Sequence, residues 1–97
     1  MEEHEICDAI HRRQRARIWY RGGHRVIEPH AFGVGDGGGA YLRAYQVSGH
    51  THSAEQGWKL FHLEEIEEFK AQDETFDGPR AGYMRNDPNM VKIYCEL

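Results

Sequence analysis

With 97 residues, 39% of them hydrophobic and 29% charged, the chain has room for one domain around one core, and its composition is that of a globular protein rather than a disordered one. No stretch approaches the ~18 apolar residues of a membrane span, and Met1 leads into Glu2, Glu3 and His4 rather than into the basic and then apolar regions of a secretory signal. The formal charge of −4 conceals an asymmetry, with Arg12, Arg13, Arg15, Arg17, Arg21 and Arg25 in the first quarter and Glu64, Glu65, Glu67, Glu68, Asp73, Glu74 and Asp77 later.

That asymmetry has two readings. The two faces can neutralise each other once folded, or a local basic patch on an acidic body can handle anions. Cys7 and Cys95 lie near opposite ends. A bridge between them is open to the chain, but two free buried thiols in a reducing cytoplasm fit better. The expected setting is therefore cytoplasmic.

Residues 3–14 read as a helix, with Ile6, Cys7 and Ile10 as a short apolar stripe, acids in its first turns and Arg12 and Arg13 in its last. From Arg15 the period changes to two. Ala16, Ile18 and Tyr20 point one way, and Arg15, Arg17, Trp19 and Arg21 the other. Gly22-Gly23 supplies a two-residue hairpin turn, since both positions of a type I′ turn need positive φ. The chain returns as a strand over residues 24–34, where Pro29 limits internal pairing.

Residues 35–39 form the next turn and residues 40–47 the next strand. Residues 48–57 lack periodicity and read as a loop, mobile and carrying His50 and His52. Residues 58–63 are strand again. Residues 63–72 are ambiguous: Leu63, Ile66 and Phe69 sit at helical spacing, while Phe69 and Ala71 can alternate. Residues 77–89 are irregular. Val91, Ile93, Cys95 and Leu97 then alternate with Lys92, Tyr94 and Glu96, an amphipathic final strand that places Cys95 in the core. One helix followed by five or six short strands joined by glycine turns describes a mainly β fold, a small barrel or rolled sheet. Its expected parts are an N-terminal helix at about 3–14, a barrel at about 15–76 and a C-terminal extension with the final strand at 77–97, together one domain over residues 1–97.

Several chemistries can be weighed. The run from Gly33 to Gly39 lacks the helix and the Lys-Ser or Lys-Thr that a phosphate loop needs, so it reads as a hairpin turn. His4, Cys7 and His11 share a helix face, but zinc wants four ligands, so no metal is expected. There is no nucleophile elbow and no serine or cysteine with a base at a recognisable spacing. The expectation is a binding module, not an enzyme, with no cofactor. The most informative pattern is aromatic and basic residues on shared strand faces: Arg17, Trp19 and Arg21 on one strand, Tyr41, Arg43 and Tyr45 on another. Such faces can stack planar groups and neutralise phosphates. Equally, a small barrel must bury its rings somewhere, with arginines exposed between them.

Residues 15–21, Glu28-Pro29-His30, residues 40–45 and residues 58–66 together resemble a WYL domain, in the right order over about residues 6–76. The Trp-Tyr-Leu tripeptide that names the family is here Ala40-Tyr41-Leu42, and His62 and Glu65 stand where a late segment of the family carries two arginines. The resemblance implies an Sm- or SH3-like β-barrel and a regulatory, ligand-sensing role. Most relatives sit behind a winged helix in bacterial transcription regulators, and several sense nucleic acid or nucleotide-like ligands through a basic pocket. No winged helix is seen here, which points to the stand-alone variety. A pocket of this kind would be lined by Tyr20, Tyr41, Arg43, Tyr45, Lys59 and His62, weakened by the loss of the two arginines. The function implied is sensing of an anionic ligand, a single-stranded nucleic acid or nucleotide. The alternative is a protein-interaction or homo-oligomerisation module without nucleic-acid binding, acting through a strand edge, with residues 91–97 the foremost such edge. No membrane partner is expected.

Overall fold

The computed structural model describes residues 3–51 and 56–97. They form helix α1 (Glu3–His11) and strands β1 (Gln14–Tyr20), β2 (Gly23–Val34), β3 (Ala40–Gly49), β4 (Gly57–His62), β5 (Ile66–Thr75) and β6 (Lys92–Glu96), with one 3-10 turn at Leu63–Glu65. His52 falls outside the described residues.

The helix stops short of its expected end. Arg13 adopts φ 54°, left-handed backbone that turns the chain out of α1 and into β1. Ile6, Ala9 and Ile10 are its buried face, packed against Ala16, Ile18, Ile27, Phe32, Leu42 and Phe61 of the sheet.

The β1–β2 hairpin turns one residue earlier than expected. Its centre is Arg21-Gly22, with φ 46° and 91°, and Tyr20 pairs with Gly23. A type I′ turn needs positive φ at both central positions, and Arg21 accepts it so that Gly23 can join the ladder. The shift moves Arg25 from opposite Tyr20 to opposite Ile18, and both partners lie on the core side of the sheet.

All neighbours in the sheet are antiparallel, in the order β4-β3-β2-β1-β5, and β6 adds to the far end of β2. The expected barrel is not closed. β4 and β5 end the path with no ladder between them, and only the turn at Leu63–Glu65 joins them. At that corner the His62 backbone N–H donates to the Tyr20 hydroxyl at 3.0 Å, so a side chain from β1 takes a bond that a strand would need for closure. The ambiguous stretch from Leu63 resolves as this turn followed by β5.

β2 is buried on both faces from Ile27 to Gly33, because α1 covers one face and the chain after β5 covers the other. Pro29 is paired after all, with Ala44, and a register shift follows it that leaves His30 as an extra residue. On the other side β1 reaches only Ile27 and β6 begins only at Ala31, so Pro29 faces no strand there and its missing N–H costs no ladder bond.

Two further expectations change. Cys7 and Cys95 are joined in a disulfide, with Cα atoms 5.7 Å apart, rather than being free thiols. The helix and β6 pack on one core, and that brings the two ends of the sequence together. The argument for a reducing cytoplasm from free thiols falls with it. In the final strand Cys95 is buried as expected, but Val91 is 67% exposed, because β6 begins one residue after it.

The charge asymmetry is resolved by pairing of arginines in and just after β1 with acids of β5 and of the turn before it. Arg17 meets Glu68 at 3.5 Å, Arg21 meets Glu65 at 2.7 Å and Arg15 meets Glu74 at 2.9 Å. These exposed pairs are each worth roughly 0–1 kcal/mol. Their consequence is electrostatic: the arginines of β1 form no open basic patch.

Candidate functional site

The six residues expected to line a pocket divide between the two faces of the sheet. Tyr20 and Lys59 lie on the core side. Tyr41, Arg43 and Tyr45 of β3 lie on the opposite, outer side, where their cross-strand neighbours on β4 are His62, Leu60 and Trp58. His62 bridges the groups: its ring contacts Tyr41 at 4.9 Å, and it borders the cavity that contains Tyr20 and Lys59.

That cavity, of about 230 Å³, opens at the end of the core between the β1–β2 hairpin and β4. Arg25 is its central group. The Arg25 residue is 4% exposed, and its guanidinium carbon lies 5.0 Å from the Tyr20 ring centre and 5.6 Å from that of Phe61. It donates one hydrogen bond from Nη1, to Gln46 Oε1 at 3.3 Å, and its buried Nε has no partner. No carboxylate among the described residues pairs with it. Burial lowers its pKa from the ordinary arginine value, and the neighbouring Arg21 adds to that. Lys59 Nζ sits on the same cavity and donates to Thr51 Oγ1 at 3.2 Å. Tyr20, its hydroxyl donating to Glu65 at 2.9 Å, has its pKa raised, first by burial.

A buried cation without a counter-charge is costly unless something of opposite sign reaches it. The site can therefore accept one anionic group, held by a guanidinium whose plane is fixed by two rings. Arg25 was not among the expected site residues. The signal for it was strand parity: Arg25 faces Ile18 across the hairpin, and with the turn at residues 22–23 it would face Tyr20, on the same core side.

The outer face is occupied by the chain itself. Arg43 Nε donates to Asp87 Oδ2 at 2.7 Å. Burial would raise the Asp87 pKa, but the bonds from Arg43 and the Asn89 N–H outweigh it and hold it below the usual value. Tyr45 meets Trp58 edge-on at 5.5 Å and carries the Arg80 guanidinium 4.4 Å from its ring centre. Arg80 runs on to Glu28, fully buried, with Nε 2.6 Å from Oε1 and Nη2 3.1 Å from Oε2, and Arg15 Nε completes the carboxylate at 3.0 Å. Burial would raise the Glu28 pKa, but these bonds outweigh it and hold the carboxyl below its ordinary range. Arg43 and Tyr45 are thus not brought together with Tyr20 and Lys59.

Among the described residues no three His, Cys, Asp or Glu side chains converge as metal ligands would, and no helix is long and apolar enough to cross a membrane. The glycine run after β2 is a hairpin turn, closed by Gly35 N–H to Gly39 O at 2.8 Å.

A family model described as the WYL domain matches residues 4–71, from α1 into β5. No curated protein and no solved structure matches the chain.

Proposed function

The chain belongs to the WYL domain family, whose members are in general ligand-sensing regulatory domains rather than catalysts, and on that premise we propose that it senses an anionic ligand. The observation that carries the reading is Arg25, a buried residue whose Nε has no partner and which no carboxylate among the described residues pairs with. The ligand class is a single-stranded nucleic acid or nucleotide, in keeping with a family that commonly binds nucleic acid. A phosphate would sit on Arg25 and Lys59, with Tyr20 fixing the guanidinium and the rest of the ligand running along the rim at His62 and Tyr41. The cavity has room for one phosphate and its sugar, not for a folded nucleic acid. A regulatory setting is part of this proposal.

Fluorescence anisotropy with short labelled single strands, in low and then moderate salt, tests it. Binding should weaken steeply with salt, because phosphate contacts release counterions, and Arg25→Met and Lys59→Ala should each weaken it at least tenfold. Equal binding by wild type and Arg25→Met would remove the site.

One observation favours a second reading, a protein-interaction module. The large apolar side chains that stand exposed among the described residues, Met84, Val91 and Tyr94, all lie in the C-terminal extension, and β6 pairs with β2 alone. Light scattering of the wild type against Val91→Lys and Tyr94→Lys separates the two. A dimer lost in the variants would support association, and a monomer throughout would exclude self-association.

A further inference from the structure

After β5 the chain leaves the sheet edge at Thr75, crosses the outer face and rejoins the sheet as β6. This crossing lies beyond the stretch matched to the family, and it covers Tyr45, Arg43 and Trp58. Among the contacts that hold it down, three reach the outer face or the strand beneath it. Arg80 reaches the buried Glu28, Asp87 holds Arg43, and Trp58 Nε1 donates to Ala81 O at 3.0 Å. Beneath them lies His30, fully buried, its ring stacked on Phe76 at 5.3 Å and meeting Trp58 at 4.8 Å and Tyr83 at 5.0 Å.

The two ring nitrogens of His30 are committed to opposite roles. Nδ1 lies 2.7 Å from the Glu28 carbonyl oxygen, which can only accept, so Nδ1 carries the proton. Nε2 must then be the bare lone pair, and it accepts the Arg80 backbone N–H at 3.2 Å. A second proton on the ring would set an N–H against an N–H at that contact. We propose that residues 77–91 form an acid-released clasp over the outer face of the sheet, with His30 as its trigger.

The charged groups around His30 support that assignment. Glu28 favours the protonated ring, whereas Arg80 opposes it, and Arg15 adds a second guanidinium to the same carboxylate. Burial outweighs the help from Glu28 and lowers the His30 pKa from its ordinary value. Glu28 and Asp87 are held below the usual carboxylate range, and Tyr83 is pushed up, first by burial. Between pH 8 and 5 the group that changes charge beneath the clasp is therefore His30. The Cys7–Cys95 bridge keeps β6 on α1, so release is confined to the crossing itself. It would uncover Tyr45, Trp58 and Arg43 together, an aromatic and basic sheet face distinct from the Arg25 cavity, and the proposal does not depend on what that cavity binds.

The test is hydrogen exchange by mass spectrometry on the full chain with its disulfide intact, from pH 8 to 5, corrected for intrinsic exchange. Peptides within 77–91 should lose protection by up to about tenfold per pH unit below about 6.5, while α1 and β1 peptides hold theirs. His30→Gln, whose amide oxygen can accept the Arg80 N–H without titrating, should abolish that slope. A flat wild-type profile, or the same slope in His30→Gln, would overturn the proposal. Should His30→Gln fail to fold, Arg80→Ala decides the matter. Its crossing should exchange freely already at pH 8 and show no further slope, and a crossing as protected as in wild type would overturn the clasp.

Discussion

Arg80 lays its guanidinium across the Tyr45 ring and onto the fully buried carboxylate of Glu28, 52 residues earlier, with its Nε 2.6 Å from Oε1. This one contact ties the C-terminal crossing to the most enclosed strand of the sheet. It also gives Glu28 a reason to be charged where no water reaches it, since Arg15 and Arg80 together satisfy both of its oxygens.

Glu28→Gln should therefore destabilise the fold by roughly 2–3 kcal/mol, at or below the low end of what breaking a buried pair costs, because both arginines also reach solvent. Arg80→Ala should cost less, since Arg15 still faces the carboxylate. The two changes together should fall short of additivity by about 1 kcal/mol or more. Urea unfolding of the two single variants and the double gives the cycle. A Glu28→Gln loss under about 0.5 kcal/mol would show that the ion pairs contribute nothing net.

The Cys7–Cys95 bridge closes a loop between residues 88 apart in sequence. Restricting an unfolded chain over that length is typically worth about 2–4 kcal/mol. Reduction, or Cys7→Ala with Cys95→Ala, should lower the unfolding midpoint accordingly, and thiol titration of the untreated, denatured protein should find no free cysteine. Two titratable thiols in that protein would restore the reading first drawn from composition.

Much of this architecture was legible in the residues, and the misses have physical causes. The alternation of Ala16, Ile18 and Tyr20 is plain because one face of β1 is core and the other solvent. The glycine run was readable as a hairpin because it leads into a strand. Arg25 was overlooked because an arginine is almost never fully buried unless paired, although its place in the strand marks the core face: it pairs with Ile18, and a turn one residue later would pair it with Tyr20, on that same face. Arg43 and Tyr45 were rightly grouped on one face of β3, but Arg80 and Asp87, which cover them, come from a stretch with no periodicity. The cysteine pairing was hidden for a similar reason. It depends on β6 pairing with β2 so that Phe32 meets Cys95, a register that spacing alone does not reveal.

Acid should act on stability in two separate windows. His30 has a lowered pKa, so its contribution is complete above the ordinary histidine value near 6.5 and is lost as pH falls below it. Glu28 and Asp87 are also lowered, but from about 4, so their contribution is complete above that and is lost only as pH falls through their folded values. Urea midpoints should thus fall in two steps. His30→Gln should remain flat from pH 8 to 5 and then decline with the carboxylates. A single decline beginning near pH 4 in the wild type would mean that His30 contributes nothing.

Arg25 offers the sharpest separation of stability from function. Its guanidinium lies beside the rings of Tyr20 and Phe61, which meet each other edge-on, with an unpartnered Nε, so the folded chain bears a desolvation cost that no carboxylate among the described residues offsets. Methionine is close to it in length, unbranched and favourable against aromatic rings. Arg25→Met should therefore leave stability unchanged or raise it by up to about 1 kcal/mol, as replacing buried charge with apolar volume often does. The same change should weaken binding of a labelled single strand at least tenfold. Those opposite effects are the mark of a residue kept for its ligand at the expense of the fold. A variant about 2 kcal/mol less stable that binds as well as wild type would instead make Arg25 a structural strut, held by Gln46 and its two rings.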